Sequence, residues 1–324
     1  LGVRGVSAAA LTMVGAAIVL AASSCGSKTA AQPAAVAVAD VAPAKPARKA
    51  RGLSKHTIVA VGDISCPAAE PVTPDLCHQA AVAKRVAKID PASVLLLGDV
   101  QYNFGEYAEF QNSFGRSWSA LRGLWRPVIG NHEYYTPGAE GYFKFFGRRA
   151  GNGRGAYYSF NVSGWHVVAL NANCEYVGCG QNSLQGRWLK GDLADNPRKC
   201  TIGYWHQPLF SSGEHGSNPP VRPLWSMLQS AGADLVLNGH DHNYERFAPQ
   251  DANGTLDTRR GMREFVVGTG GRSQRALKDL KPNSQFSIVD RFGVLALDLG
   301  KSGYKWRFVG ENGRILDRGT GRCH

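Results

Sequence analysis

The chain is short of long apolar runs. Beyond residue 22 no stretch is hydrophobic enough for the roughly 20 residues that a membrane-spanning helix needs. It has no internal repeat, and no C-x-x-C pair of the kind that closes a structural zinc site. It also lacks a basic stripe interleaved with aromatics, so nucleic-acid binding is not expected despite a formal charge of +12. Residues 1–52 carry six Lys/Arg against one acidic residue, which leaves only a modest positive excess on the remainder. Disorder is excluded for most of the chain, because 43% hydrophobic and 10% aromatic residues can bury a sizeable core.

The N-terminal segment reads as a targeting sequence. Arg4 precedes an apolar stretch from Ala8 to Ala22, of the length of a signal-peptide core. Ala22-Ser23-Ser24-Cys25-Gly26 then resembles a bacterial lipobox, with Cys25 as the lipidated residue, although Ala22 stands where Leu is usual. Cleavage near Ala22 with free secretion is the alternative. The expected organisation is a signal peptide over 1–25, an Ala/Pro/Lys-rich tether over 26–55 and a catalytic domain over 56–324. The chain is then exported, to the cell envelope or beyond, and touches a membrane only through a lipid anchor.

Six cysteines remain: Cys66, Cys77, Cys174, Cys179, Cys200 and Cys323. An even set in an exported chain points to disulfides, and six cysteines allow 15 pairings. Proximity favours Cys66–Cys77 and Cys174–Cys179, leaving Cys200–Cys323 to tie down the C-terminus.

From residue 57 strands and helices alternate. Strands are expected at 57–61, 94–97, 126–129, 200–205 and 235–237, with a hairpin over 157–171 that turns at Ser163-Gly164. Helices are expected at 76–89, 107–114, 183–193 and 222–230. After residue 263 the pattern is strand-rich, at 264–267, 293–299 and 304–309. Together these suggest a layered α/β domain.

Five of the strands end in residues that bind metals. The series is Gly62-Asp63, Gly98-Asp99 with Tyr102, Gly130-Asn131-His132-Glu133, His206 after Tyr204-Trp205, and Gly239-His240-Asp241-His242. Sites in α/β proteins form beyond the carboxyl ends of strands, so the five clusters can converge. The spacing of His240 and His242 puts both imidazoles on one side of an extended segment, and neutral imidazoles suit transition metals.

This series resembles the calcineurin-like metallophosphoesterases, and more narrowly the short, single-domain purple acid phosphatases. Most of that superfamily opens with D-x-H, whose His binds metal. Here the motif reads Asp63-Ile64-Ser65, and Tyr102 stands where the purple acid phosphatases place a compensating ligand. The resemblance implies a four-layer α/β-β/α sandwich around two metal ions. Asp63, Asp99, Tyr102 and His242 would hold Fe(III), and Asp99, Asn131, His206 and His240 would hold Fe(II), Zn(II) or Mn(II). It further implies hydrolysis of small phosphate monoesters by attack of a metal-bound hydroxide. His132, and His215 in Glu214-His215-Gly216, would bind the phosphate beside Asn131 and serve as acid catalysts. A phosphodiesterase or nucleotide hydrolase on the same scaffold is the alternative. A third reading is an anchored surface protein that binds a metal or a partner without turnover.

Asp241 is read as supporting its neighbours or facing solvent, not as a ligand. His166 is read as a strand residue, and His56 and His78 lie outside the ligand positions. Tyr134, Tyr135, Trp205 and Phe210 either line the mouth of the site or pack. Nothing assigns an oligomeric state.

Overall fold

The computed structural model describes residue 2 and residues 54–324 apart from 152. The expected signal segment, the lipidated Cys25 and most of the 26–55 tether lie outside the described residues. The described residues from 54 onward belong to one unit, which holds every described strand and helix.

The chain opens with β1 (Ser54–Val61), α1 (Gln79–Ile89), β2 (Pro91–Leu97), the short helices α2 (Tyr107–Asn112) and α3 (Phe114–Ser117), and β3 (Trp125–Val128). It continues through α4 (Glu140–Phe146), β4 (Tyr158–Val162), β5 (Trp165–Ala169), α5 (Cys174–Val177), α6 (Leu184–Asp195), β6 (Thr201–Tyr204), α7 (Arg222–Ser230) and β7 (Leu235–Asn238). The last strands are β8 (Tyr244–Phe247), β9 (Arg263–Val267), β10 (Ser284–Ile288), β11 (Gly293–Leu299), β12 (Gly303–Gly310) and β13 (Ile315–Arg322).

Two sheets result, ordered β13-β12-β11-β1-β2-β3 and β10-β8-β9-β7-β6-β5-β4. In the first, β1, β2 and β3 run parallel, while β11 pairs with β1 antiparallel and begins a meander to the edge. In the second, β5, β6, β7 and β9 run parallel between antiparallel flanks.

The period of two in the strands sets the layers. Along β1, Ile58 and Ala60 enter the core between the sheets, where they meet Val167, Ile202, Leu235 and Leu237. Val59 and Val61 face the other way, against Val82 and Val86 of α1 and the aromatics Phe110, Phe114 and Phe146. Val236 of β7 likewise turns outward, onto Leu224, Trp225 and Leu228 of α7. Strands buried on both faces read as unbroken apolar runs, as these do. The architecture is therefore a four-layer α/β-β/α sandwich, as the motif resemblance implied.

Local chemistry explains the helix boundaries. Pro223 occupies the first turn of α7, where its missing N–H costs nothing. The helix stops because Gly232 takes φ +77°, and the N–H of Ala233 turns back to the carbonyl of Leu228. Ser183 caps α6 by accepting from the N–H of Gly186 at 3.0 Å. The helix expected at 107–114 is broken at Ser113. There the Gln101 side chain accepts the N–H of Phe114, and the Ser113 hydroxyl donates to the carbonyl of Cys66. The start of α1 falls at Gln79, three residues later than expected, since Cys77 sits at φ +68°.

Three disulfides are formed: Cys66–Cys77, Cys174–Cys179 and Cys200–Cys323. Among the described residues, no helix is long and apolar enough to cross a membrane.

Candidate dinuclear metal centre

The loops that follow β1, β2, β3, β6 and β7 meet at one edge of the sandwich, so residues from both sheets face each other. Asp63, Asp99 and His240 each adopt positive φ, at +59°, +45° and +74°. Non-glycine residues rarely do so, and such conformations collect at functional sites. Close approach also dictates the glycines. A Cβ at Gly98 would lie 2.6 Å from Nδ1 of His206, and one at Gly130 would overlap the Asp99 carboxylate.

Tyr102 is almost fully buried between the two carboxylates. Its hydroxyl donates toward Asp63 Oδ1 at 2.8 Å and Asp99 Oδ2 at 2.9 Å, and lies 3.1 Å from Nε2 of His242. His242 Nε2 is in turn 3.3 Å from Asp63 Oδ1, while its Nδ1 meets the Ser273 hydroxyl at 2.6 Å. These four side chains therefore present their donor atoms to a common point.

The second group shares Asp99. His206 Nε2 lies 3.2 Å from Asp99 Oδ2, and the His206 ring is fixed by Nδ1 donating to the carbonyl of Leu97 at 2.8 Å. His240 Nδ1 stands 3.3 Å from His206 Nε2. Asp99, His206 and His240 offer ligand atoms all within 4.8 Å of one another. Asn131 completes this side, and its Oδ1 is buried with no hydrogen-bond partner.

The electrostatics fit a cation centre. Burial raises the Asp63 and Asp99 carboxyls, but His242 and His206 beside them hold both below the usual range. Burial opposes a charge on His206, yet the Asp99 carboxylate lifts it to about 9. Burial and the adjoining His206 push His240 down to about 3. Burial, followed by the two carboxylates, drives the Tyr102 phenol well above its normal value. Buried carboxylates beside imidazoles and an unpaired amide oxygen are the donor set of divalent and trivalent metals, and a cation between them would displace the protons held by His206 and Tyr102.

His132 and His215 flank the donors. The His132 N–H donates to Asp99 Oδ1 at 3.0 Å, and its Nδ1 meets the carbonyl of Asn103 at 2.7 Å. The ring leans on Tyr102 and on the exposed Tyr135. His215 lies 4.4 Å from His240, ring to ring, and its Nδ1 meets Asp241 Oδ1 at 3.1 Å. Asn131, His215 and His240 line a cleft of about 290 Å³ with Glu175 and Gln207. Asp241 is fully buried and accepts from Ser211 and His215, so it holds the His215 loop and does not face solvent.

Of the four aromatics near the motifs, Tyr135 lies at the mouth of the site. Trp205 and Phe210 pack, the latter against Trp225, and Tyr134 stacks on Tyr176. His166 is a buried residue of β5.

Two further residues support the centre without any expectation from the motifs. Glu133 is fully buried and binds the N–H groups of Asp99, Val100, Gln101 and Gly130, tying the β2 loop to the β3 loop. Burial, aided by Asp99, raises its carboxyl to about 8. Ser273 orients His242. Glu133 stands in the GNHE motif but its four N–H partners are invisible there; Ser273 carries no sequence signal at all.

Fold and donors together define the class: a layered α/β scaffold in which the loops of two sheets build one polar, metal-type centre. A family model described as Calcineurin-like phosphoesterase matches residues 56–244, which include all seven donors. The chain belongs to that family. Purple acid phosphatase 21 of Arabidopsis thaliana is 32% identical over 224 residues, covering 63% of this chain and 49% of the relative. Purple acid phosphatase 18 of the same plant is 29% identical over 212 residues, covering 60% and 47%. The chain thus spans about half the length of these relatives. Among solved structures, the purple acid phosphatase PPD1 from yellow lupin (Lupinus luteus) seeds superposes with a TM-score of 0.71 at 20% identity, over 82% of this chain and 53% of that one.

Proposed function

We propose that this chain is a metal-dependent phosphoesterase of the purple acid phosphatase kind that hydrolyses small phosphate monoesters. The observation that carries the reading is Tyr102. Its hydroxyl sits between Asp63, Asp99 and His242, in a chain whose first motif has Ser65 in place of the usual histidine.

Asp63, Asp99, Tyr102 and His242 hold Fe(III), for which carboxylate and phenolate are hard anionic ligands. Asp99, Asn131, His206 and His240 hold Fe(II), Zn(II) or Mn(II). Metals held by these residues would supply polarisation of a phosphoryl group and a lowered pKa for a bound water.

The side chains supply position and protons. His206 and His242 are locked by their second ring nitrogens, on Leu97 and Ser273, so that Nε2 faces the centre. His132 has Nδ1 committed to Asn103, which leaves Nε2 to bind a phosphoryl oxygen and protonate the departing alkoxide. His215, braced by Asp241, lines the cleft beside His240 and offers a second phosphate contact. Fixed charges around the transferring group do most of the work in phosphoryl transfer.

The three disulfides support an exported chain. We extend this to a catalytic domain over 56–324, tethered by 26–55 to a lipid on Cys25.

Hydrolysis of an aryl phosphate monoester, run beside the matching diester, tests the proposal. Monoester turnover abolished by a chelator is the expected result. Diester turnover alone would replace it with a phosphodiesterase. No turnover of any phosphate ester by metal-loaded protein would leave a binding protein.

A further inference from the structure

A second cleft, of about 460 Å³, lies away from the metal centre and is lined by Arg126, Arg148 and Arg149 together with Trp125, Phe160 and Trp188. It sits where the edge strands of the two sheets come together, beside α6. The sheets are stitched there by the Tyr158 hydroxyl donating to the carbonyl of Pro127 at 2.9 Å. Arg126 is near the start of β3 and Asn131 lies past its end, so some five extended residues, on the order of 15 Å, separate this cleft from the metals.

The charge in the cleft is unbalanced. Arg148 and Arg149 are exposed on the turn Gly147–Ala150, and neither they nor Arg126 has a carboxylate partner among the described residues. Arg126 instead donates to the carbonyl of Trp125 and lies over the Phe160 ring at 5.2 Å. The acid in the wall, Asp192, is already engaged by His166 Nε2 at 2.8 Å and by the Ser159 hydroxyl at 2.6 Å. Trp125 is 2% exposed, and its indole N–H has no acceptor. Guanidinium groups are the preferred partners of phosphate oxygens, and aromatic faces accept any base.

We propose that this cleft is a second anion site that binds a nucleoside phosphate, its phosphates on Arg126, Arg148 and Arg149 and its base against Trp188. The site is separate from the hydrolytic centre and does not depend on it.

Equilibrium dialysis of the metal-loaded full chain with α,β-methylene ADP, a non-hydrolysable diphosphate, tests this. The double variant R148S/R149S and the single variant W188A are compared with the unaltered chain. The expected result is one fewer equivalent bound by R148S/R149S, at least tenfold weaker binding of that equivalent by W188A, and aryl phosphate hydrolysis within twofold of normal in both. Equal stoichiometry and affinity in all three proteins would overturn the proposal. So would pyrophosphate competing as well as the nucleotide analogue, which removes the base from recognition. A single-stranded oligonucleotide displacing the analogue at lower concentration than AMP would replace the mononucleotide with a polymer. If the hydrolytic reading fails, turnover is missing from the unaltered chain while the difference of one equivalent remains.

Discussion

The Tyr102 hydroxyl lies among Asp63, Asp99 and His242 in a chain whose Asp63-Ile64-Ser65 motif has no histidine, and its neighbours make the proposed exchange testable. In iron-loaded protein, Tyr102→Phe abolishes the visible charge-transfer band; absorption spectra with the band intact would remove Tyr102 from the iron. Asn131→Ala leaves the fold unchanged, since its amide oxygen bonds to no protein group, and lowers kcat/KM for an aryl phosphate by about 10–100-fold, the scale on which metal-site contacts act. Steady-state kinetics within a few-fold of normal would sink that assignment. The candidate ligands were legible because each lies at or just past the end of an apolar strand, and four of them, Asp63, Asp99, Asn131 and His240, directly follow a glycine. What holds them was not. Glu133 acts through four backbone N–H groups from two loops, Ser273 through one hydroxyl, and neither geometry has a sequence period.

Among the elements, those buried on both faces or strongly amphipathic were legible to within a few residues, α7 and β11 best of all. The strands that escaped share one property: their pairing, not their composition, makes them strands. β8 follows the His-x-His motif with only Asn243 between, β10 (SQFSI) is a largely half-exposed edge strand, and β13 (ILDRGTGR) carries two glycines and is held by β12. α4 (EGYFKFF) escaped for the opposite reason, its aromatics being equally at home in a strand. β9 carries a buried acid, Glu264, which accepts the N–H of Leu209 in the segment leading to His215. Burial, partly opposed by the Phe210 N–H and reinforced by Glu245, raises its carboxyl well above the ordinary value of 4.5. The folded chain keeps a proton that the unfolded chain releases, so the stability linked to this group is complete below pH 4.5 and is lost as the pH rises toward the folded value. Thermal melts between pH 5 and 9 should show the unaltered protein losing stability relative to Glu264→Gln, by up to about 1.4 kcal/mol per pH unit. Parallel curves would mean that Glu264 is ionised in the folded state.

For the whole molecule, the alternation of strand and helix indicated a layered α/β domain, and the motif series implied the four layers. The cysteine count and the proximity of the pairs carried the disulfides, including Cys200–Cys323 at the C-terminus, and the structure places Cys200 directly before β6. That bridge spans 123 residues. Cys200→Ser with Cys323→Ser lowers unfolding free energy by about 2–5 kcal/mol in the loop-entropy view; urea melts unchanged by the pair would show the C-terminus held by β12 and β13 alone. The position of β1 has a different consequence, for the order in which the protein comes into being. β1 lies between β2 and β11, and Thr57 bonds Asp298 across 241 residues of chain. Asp63 is therefore among the earliest of the donors to be synthesised, but the sheet that seats it is among the last structures to close. All seven donors precede β11 in the chain, so each emerges before the strand that completes the scaffold. Contacts this distant in sequence form slowly. On the proposed ligand assignment, the emerging chain therefore carries all seven side chains before the C-terminal meander has docked beside β1.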